Sequence, residues 1–488
     1  MGRPIMIQGT MSDAGKSFIA AALCRIFRQD GYSVAPFKSQ NMALNSFITP
    51  DGSEIGRAQA MQAEAAGIDP SPLMNPILLK PTTDTGSQVI VNGQVRGNMR
   101  AAEYFRRKKE LVPDIMKAYD TLASQYDIIV IEGAGSPVEL NLKSDDIVNM
   151  GLAEMVKSPV LLVGDIDRGG VFAQLIGTLH LLEPHERDMI KGLVVNRFRG
   201  DISLFDEGIS ILRKLSGKPV AGVIPYLECS LEDEDSLSSK LSKSDVTGLI
   251  DIAVIKLPKI SNFTDFDVFS QYSDVSVRYV SDAARLGRPD LIIVPGTKST
   301  IADMKWLKST GLDEKIKSLA SKGTLVFGIC GGYQILGKSI SDPFGSEGGG
   351  STDGLGLLEG ETVFGIEKCQ RRTQGCFTCG GTFAFLDGAS FSGYEIHMGT
   401  TRDSGTPLTD CGGSYSGSVA GCYIHGIFDS ADVSGRLIRH LFERRGLTYS
   451  GTSTDRREFR EKQFDLLADH VRRSLDMDLI YRIIREGI

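Results

Sequence analysis

In the first half of the chain, short apolar runs without polar alternation are separated by stretches of helical spacing. The runs are Pro4-Ile5-Met6-Ile7, Ser33-Val34-Ala35-Pro36-Phe37, Asp127-Ile128-Ile129-Val130-Ile131, Pro159-Val160-Leu161-Leu162-Val163, Gly192-Leu193-Val194-Val195 and Pro219-Val220-Ala221-Gly222-Val223. Runs of this kind suit strands buried on both faces, which predicts a parallel sheet covered by helices. From Glu228 to Gly248 the pattern changes to Glu, Asp, Ser and Lys with few apolar residues, as in a solvated linker. A new strand is predicted at Asp251-Ile252-Ala253-Val254-Ile255, with further α/β units at Leu291-Ile292-Ile293-Val294 and Leu325-Val326-Phe327. The Gly-, Ser- and Thr-rich stretch from about Ser346 to Gly421 reads as hairpins and loops. Phe464, Leu467, Val471 and Leu475 fall at helical spacing and predict an amphipathic closing helix whose role is packing.

These patterns divide the chain into an α/β domain over 1–230, a linker over 231–250, a second α/β domain over 251–437 and a helical segment over 438–488. A chain of 488 residues exceeds what one core supports, so at least two domains are expected. The net charge of −7 argues against binding to a nucleic-acid backbone. No leader or membrane-length apolar run is visible, and a cytoplasmic location is expected. Eight cysteines are too sparse for a disulfide framework. Cys376-x-x-Cys379, with Cys369 nearby, has half the spacing of a zinc site, but no second pair follows and the segment is not read as a metal centre.

Two motifs carry chemistry. The first is Gly9-Thr10-Met11-Ser12-Asp13-Ala14-Gly15-Lys16-Ser17, between a predicted strand and a predicted helix. Glycines let the backbone approach phosphate oxygens, Lys16 meets their charge, and Ser17 offers a hydroxyl to Mg2+. The loop is one residue longer than the common GxxxxGK[ST] pattern. Glu132, in Ile131-Glu132-Gly133-Ala134-Gly135, leaves the carboxyl end of a central strand and is a candidate second ligand for Mg2+. Arg168, in Asp165-Ile166-Asp167-Arg168-Gly169-Gly170, is a candidate for steadying a phosphorylated intermediate. Lys38, Gln40, Asn41 and Asp146 lie in polar clusters that suit a large polycarboxylate substrate.

The second motif is Phe327-Gly328-Ile329-Cys330-Gly331-Gly332-Tyr333-Gln334, which reads as strand, sharp turn and helix. Such an elbow exposes a nucleophile, and the helix start favours a thiolate, making Cys330 the reactive cysteine. Gly331 offers an N–H to an oxyanion, and Gly296, in Pro295-Gly296-Thr297-Lys298, offers a second. Among six histidines the candidate base is His425, in Tyr423-Ile424-His425-Gly426-Ile427, with His397 as the runner-up. A loop for nucleoside triphosphate and a thiolate that opens an amide together point to an amidotransferase, with ATP and Mg2+ on one side and glutamine on the other.

The ordered set GTMSDAGKS, APFKSQNMALNS, EIGRAQAMQAEAA, MNPILLKP, EGAGSPVELNL, DIVNM, DIDRGGVFAQLIGTL, NRFRGD, PGTKST, GICGGYQILG, GYEIHMG and YIHGIFD closely resembles the cobyric acid synthase family over nearly the whole length. The resemblance implies a dethiobiotin-synthetase-like P-loop ATPase domain followed by a class I glutamine amidotransferase domain. It implies amidation of the b, d, e and g carboxylates of adenosylcobyrinic acid a,c-diamide, with Cys330 as nucleophile and His425 as base. The expected partners are the corrinoid and glutamine, not nucleic acid or membrane; a homo-oligomer is compatible with the sequence. Ordinary class I glutaminases place a glutamate two residues after the histidine, where this chain has Ile427, so the group orienting His425 is left to be identified. The segment Lys368 to Cys376 also departs from the hydrophobic hairpin expected there.

Two rivals share parts of this pattern. The sibling amidotransferase of the cobyrinic acid a,c-diamide synthase type has both domain kinds; the Gln40-Asn41-Met42 and Asp146-Ile147-Val148-Asn149-Met150 runs favour the cobyric acid branch. A partitioning-type P-loop ATPase has a related loop, but with an early lysine where this chain has Thr10 and Met11, and has no use for Cys330 or His425.

Overall fold

The computed structural model describes residues 1–81, 86–227, 231, 246–451 and 456–488. Six strands form the first sheet in the order Val220–Pro225, Ile190–Phe198, Val160–Asp165, Arg3–Gly9, Ile128–Glu132 and Val34–Phe37. Every neighbouring pair is parallel. The central strands are buried along their length, as continuous apolar runs require, because helices cover both faces. On one face lies the helix Lys16–Gln29, and on the other lie Val112–Gln125, Met150–Val156 and Val171–Leu181. Gly9, Glu132 and Asp165 end their strands on the same edge, where ligands of open parallel sheets bind. A smaller sheet of Gln40–Met42, Ile77–Pro81, Gly86–Val91 and Gln94–Arg100 extends from that edge.

The second sheet runs Val275–Val280, Ile250–Ile255, Leu291–Val294, Leu325–Ile329, Val419–Cys422, Gly412–Ser416 and Thr406–Thr409. Its first five strands are parallel and its last two antiparallel. The Gly-rich stretch forms a long antiparallel ribbon, Glu361–Cys376 against Ser390–Arg402. Residues 232–245 of the expected linker lie outside the described residues. The expected limit between 437 and 438 falls inside the helix Ala431–Arg444, whose Leu437, Ile438, Leu441 and Phe442 belong to the second core.

The closing segment returns to the first domain. Phe464, Leu467, Ala468 and Val471 of the helix Arg456–Ser474 are buried with Ile19, Leu23 and Ile26 of Lys16–Gln29. Arg25 reaches Glu461 and Asp465 at 2.8 Å each, and Arg472 meets Asp30 at 2.8 Å. The last helix, Met477–Glu486, adds Ile480, Ile483 and Ile484 to the same core. The chain therefore starts and ends in the nucleotide half, with the second domain held between.

Truncating Phe464, which is 1% exposed, leaves a cavity beneath the phosphate-loop helix. F464A is expected to destabilise the first domain by about 3–5 kcal/mol. The check is a lower urea midpoint for the nucleotide-domain transition with the glutaminase activity of the folded protein unchanged.

Candidate functional site

The phosphate loop turns on Gly15, whose φ of 92° lies in the left-handed region that glycine adopts without strain. A side chain at Gly15 would also collide with Asn196 Nδ2, 2.1 Å from the added carbon, and that amide donates to Ala14 O at 2.9 Å. Lys16 Nζ donates to Met11 O at 3.0 Å and Gly135 O at 3.2 Å, which sets its ammonium at the mouth of the loop. Thr10 Oγ1 donates to Gln174 at 3.1 Å.

Glu132 is 1% exposed and accepts from Ser17 Oγ at 2.9 Å, Lys38 Nζ at 2.8 Å and Gln62 Nε2 at 2.5 Å. Burial pushes its pKa up, but Lys38, Gln62 and Lys16 outweigh that and hold it below the ordinary carboxylate value. Gln62 Oε1 is buried with no hydrogen-bond partner among the described residues. Ser17, Glu132 and Gln62 thus gather hard oxygen donors beside the phosphate loop, a set that suits Mg2+.

Arg168 donates to Asp13 at 2.5 Å and lies 3.6 Å from Asp165. Arg197, which the sequence did not single out, donates to Asp13 at 2.8 Å and Asp165 at 2.9 Å from a strained φ of 61°. Two guanidinium groups therefore flank the phosphate loop. Gln40 accepts from Tyr104 at 2.5 Å, and Asn41 donates to Gln59 at 2.9 Å. Asp146 shapes its own loop: its two oxygens accept from the backbone N–H groups of Val148, Asn149 and Gly151. That loop delivers Asn149, which ties down Ala134 and Ser136 beyond Glu132.

In the second domain Cys330 stands between strand Leu325–Ile329 and helix Gly331–Leu336 with φ 51° and ψ −109°, a conformation stored at a sharp elbow. Close packing enforces the turn: a side chain carbon at Gly332 would lie 1.8 Å from Val294 O. At Gly331 it would lie 2.9 Å from Thr297 N, and at Gly296 3.1 Å from the His425 ring, so Gly331 directly follows the nucleophile and Gly296 borders the histidine.

His425 is buried and lines the same cavity as Cys330, whose Sγ also lies 3.6 Å from Ile396 O. Its Nδ1 donates to Asp265 Oδ2 at 2.7 Å, and Gly426 N donates to the other oxygen at 3.2 Å. Asp265 is the orienting carboxylate that the sequence left unidentified. It sits on the 3-10 helix Phe263–Gln271, while Ile427 is fully buried in the apolar core and faces no imidazole. The available signal was an aspartate inside the run Phe263-Thr264-Asp265-Phe266, since an acid among buried aromatics needs a partner. Burial lowers the His425 pKa, but Asp265 and Cys330 raise it to about 10. Burial raises the Cys330 pKa, while His425 and then His397 bring it below the ordinary thiol value. Each member of the pair thus favours the charged form of the other. His397, the runner-up, has both ring nitrogens engaged elsewhere, with Gly399 O and Glu395.

The cavity beside Cys330, about 30 Å3, is lined by both His397 and His425, by Lys298 and Lys368, and by Lys80 from the first domain. Lys80 Nζ lies 2.8 Å and Lys368 Nζ 2.5 Å from the carboxylate of Glu54, which has no exposed surface. Ser46 O accepts from Asn262 at 3.2 Å and Tyr394 at 3.1 Å, and Phe47 stacks edge-on to Tyr394. The thiolate cavity thus opens against the edge of the domain that carries the phosphate loop.

A P-loop domain joined to a Cys-His-Asp glutaminase defines a glutamine-dependent amidotransferase. Residues 5–237 match the CobQ/CobB/MinD/ParA nucleotide binding domain and 251–433 the CobB/CobQ-like glutamine amidotransferase domain. The cobyric acid synthase of Ruminiclostridium cellulolyticum is 54% identical over 100% of this chain and 98% of the relative. That of Lachnoclostridium phytofermentans is 53% identical over 100% of both, and that of Streptococcus sanguinis 47% identical over 99% of each. The chain belongs to the cobyric acid synthase family. No helix among the described residues is long and apolar enough to cross a membrane.

The triad makes two predictions. D265N keeps the shape of the orienting group but removes the charge that supports the imidazolium, and kcat/KM for glutamine hydrolysis is expected to fall by about 100–10,000-fold. In the wild type a His425 pKa raised to about 10 keeps the imidazolium in place until pH approaches that value, while the lowered Cys330 pKa extends the thiolate to lower pH than an ordinary thiol allows. Glutaminase kcat/KM is therefore expected to decline through about pH 10, with the alkaline limb at lower pH in D265N.

Proposed function

We propose that this protein amidates the b, d, e and g carboxylates of adenosylcobyrinic acid a,c-diamide, using ATP to activate each carboxylate and glutamine to supply nitrogen. The observation that carries the reading is the contact of the two domains in one chain, with Lys80 of the nucleotide half lining the cavity of Cys330. A cytoplasmic location fits chemistry that consumes ATP and depends on a thiolate.

In the glutaminase half the Cys330 thiolate attacks the side-chain amide carbon of glutamine. Gly331 and Gly296 face the developing oxyanion, and the His425 imidazolium protonates the departing nitrogen. Water activated by the now neutral His425 then releases glutamate from the thioester. Asp265 holds the imidazole through both steps.

In the synthetase half Lys16 and the loop amides bind the triphosphate, and Arg168 and Arg197 stand where charge on a transferred phosphoryl group needs balancing. Ser17 and Glu132 would hold Mg2+, which supplies charge neutralisation on the phosphates. The substrate carboxylate takes the γ-phosphoryl group, giving an acyl phosphate that ammonia attacks. Lys38 pairs with Glu132; Gln40 and Asn41 follow it in sequence beyond the strand Val34–Phe37 and are assigned to the substrate, and Asp146 contributes by fixing the loop of Asn149. Ammonia must meet the acyl phosphate before water does, which requires a shielded path between the halves.

The reading is tested by mass spectrometry of the a,c-diamide incubated with protein, ATP, Mg2+ and glutamine. Four successive amidations are expected. C330A should support them with ammonium but not with glutamine. K16M should retain glutamine hydrolysis while amidation with either nitrogen source falls about 100–1,000-fold. Amidation confined to other carboxylates would assign the chain to the sibling reaction, and no amidation by the wild type would overturn the substrate.

A further inference from the structure

The long ribbon of the glutaminase half carries a cluster of metal-ligating side chains, one of which, His397, also lines the Cys330 cavity. Cys369 and His397 are directly opposite each other on its two strands, and Glu395 lies two residues along on the same face as His397. The Cys369 sulfur, one Glu395 carboxylate oxygen and one His397 ring nitrogen all lie within 4.8 Å of one another. We infer that Cys369, Glu395 and His397 form a binding site for a single thiophilic divalent cation of the Zn2+ class.

The surroundings aim each donor at a common point. His397 Nδ1 is 2.7 Å from Gly399 O, and a carbonyl only accepts, so Nδ1 carries the proton and Nε2 is the ligand nitrogen. Nε2 faces Glu395 Oε2 at 3.2 Å. The other oxygen, Oε1, is held by Arg371 at 2.8 Å and Thr373 at 2.9 Å, which leaves Oε2 toward the cluster. The His397 ring is fixed by stacking on Tyr423, with centroids 3.8 Å apart. A pinned imidazole, a pinned carboxylate and a thiol are the donor types that zinc selects, and the thiolate and carboxylate charges together balance a divalent ion.

Binding a metal needs the three donors to close by about 1 Å to reach zinc-ligand distances of about 2.0–2.3 Å. Three protein ligands leave a fourth position for water. The half-motif Cys376-x-x-Cys379 takes no part; Cys369 finds its partners on the facing strand instead.

The probe is Co2+ alone, titrated into the full-length protein with wild-type, C330A, C369S, H397Q and R371M chains compared. The expected result is one cobalt per chain with a thiolate-to-cobalt charge-transfer band, unchanged in C330A and lost in C369S. H397Q, a second ligand variant, should also lose the band, and R371M should bind about 10–100-fold more weakly. Retained glutaminase activity in C369S shows that its loss of the band is not a loss of fold. No band in the wild type would overturn the inference, as would a band that survives in C369S or disappears in C330A, which would put the metal on the catalytic thiolate.

Discussion

A carboxylate with no exposed surface joins the two halves of this molecule. Glu54 projects from the nucleotide domain between Lys80, of its own domain, and Lys368, of the glutaminase ribbon, and Gln370 donates to it at 3.0 Å. Burying such charges costs several kcal/mol per ion, which only close pairing offsets. Burial raises the Glu54 pKa, yet the two lysines hold it far below the ordinary range, while burial pushes Lys368 down to about 7. Neither half could keep these groups dry by itself: Glu54 and Lys80 need Lys368, and the Cys330 cavity needs Lys80 as part of its wall. The relative placement of the two active sites therefore depends on this contact, reinforced by Ser46 with Asn262 and Tyr394.

The chemistry of each site follows from the same rule, that a buried charge is held ready by a partner at fixed distance. Glu132 is kept ionised by Lys38 beneath the phosphate loop, and His425 is kept protonated by Asp265 beside the thiolate. Both sites are built at the carboxyl ends of parallel strands, where side chains can emerge into a crevice while the strand is buried on both faces. The return of the closing helices to the phosphate-loop helix ties the far end of the chain to the site formed by its beginning.

Local sequence carried most of this. Apolar runs without alternation gave the strands of both parallel sheets, because such strands are covered on both faces; the phosphate loop and the elbow at Cys330 were legible because each needs glycines at fixed offsets. Asp265 was not legible as a partner of His425, since the two are 160 residues apart and meet only through packing of the 3-10 helix Phe263–Gln271. Arg197 was hidden for the same reason, as its meeting with Asp165 requires the parallel register of two strands. The segment from Lys368 to Cys376 looked out of place because its polar side chains answer groups elsewhere: Lys368 and Gln370 meet Glu54, Arg371 and Thr373 meet Glu395, and Arg372 reaches Ile48 O.

Coupling of the two halves requires that nitrogen released at Cys330 reach the synthetase site without mixing with solvent. It is tested most directly by supplying glutamine labelled with 15N in its amide group alongside excess unlabelled ammonium, and reading the isotope content of the product by mass spectrometry. The expected result is that the new amides carry the glutamine label. Amides whose label is diluted to the proportion of ammonium in solution would contradict it.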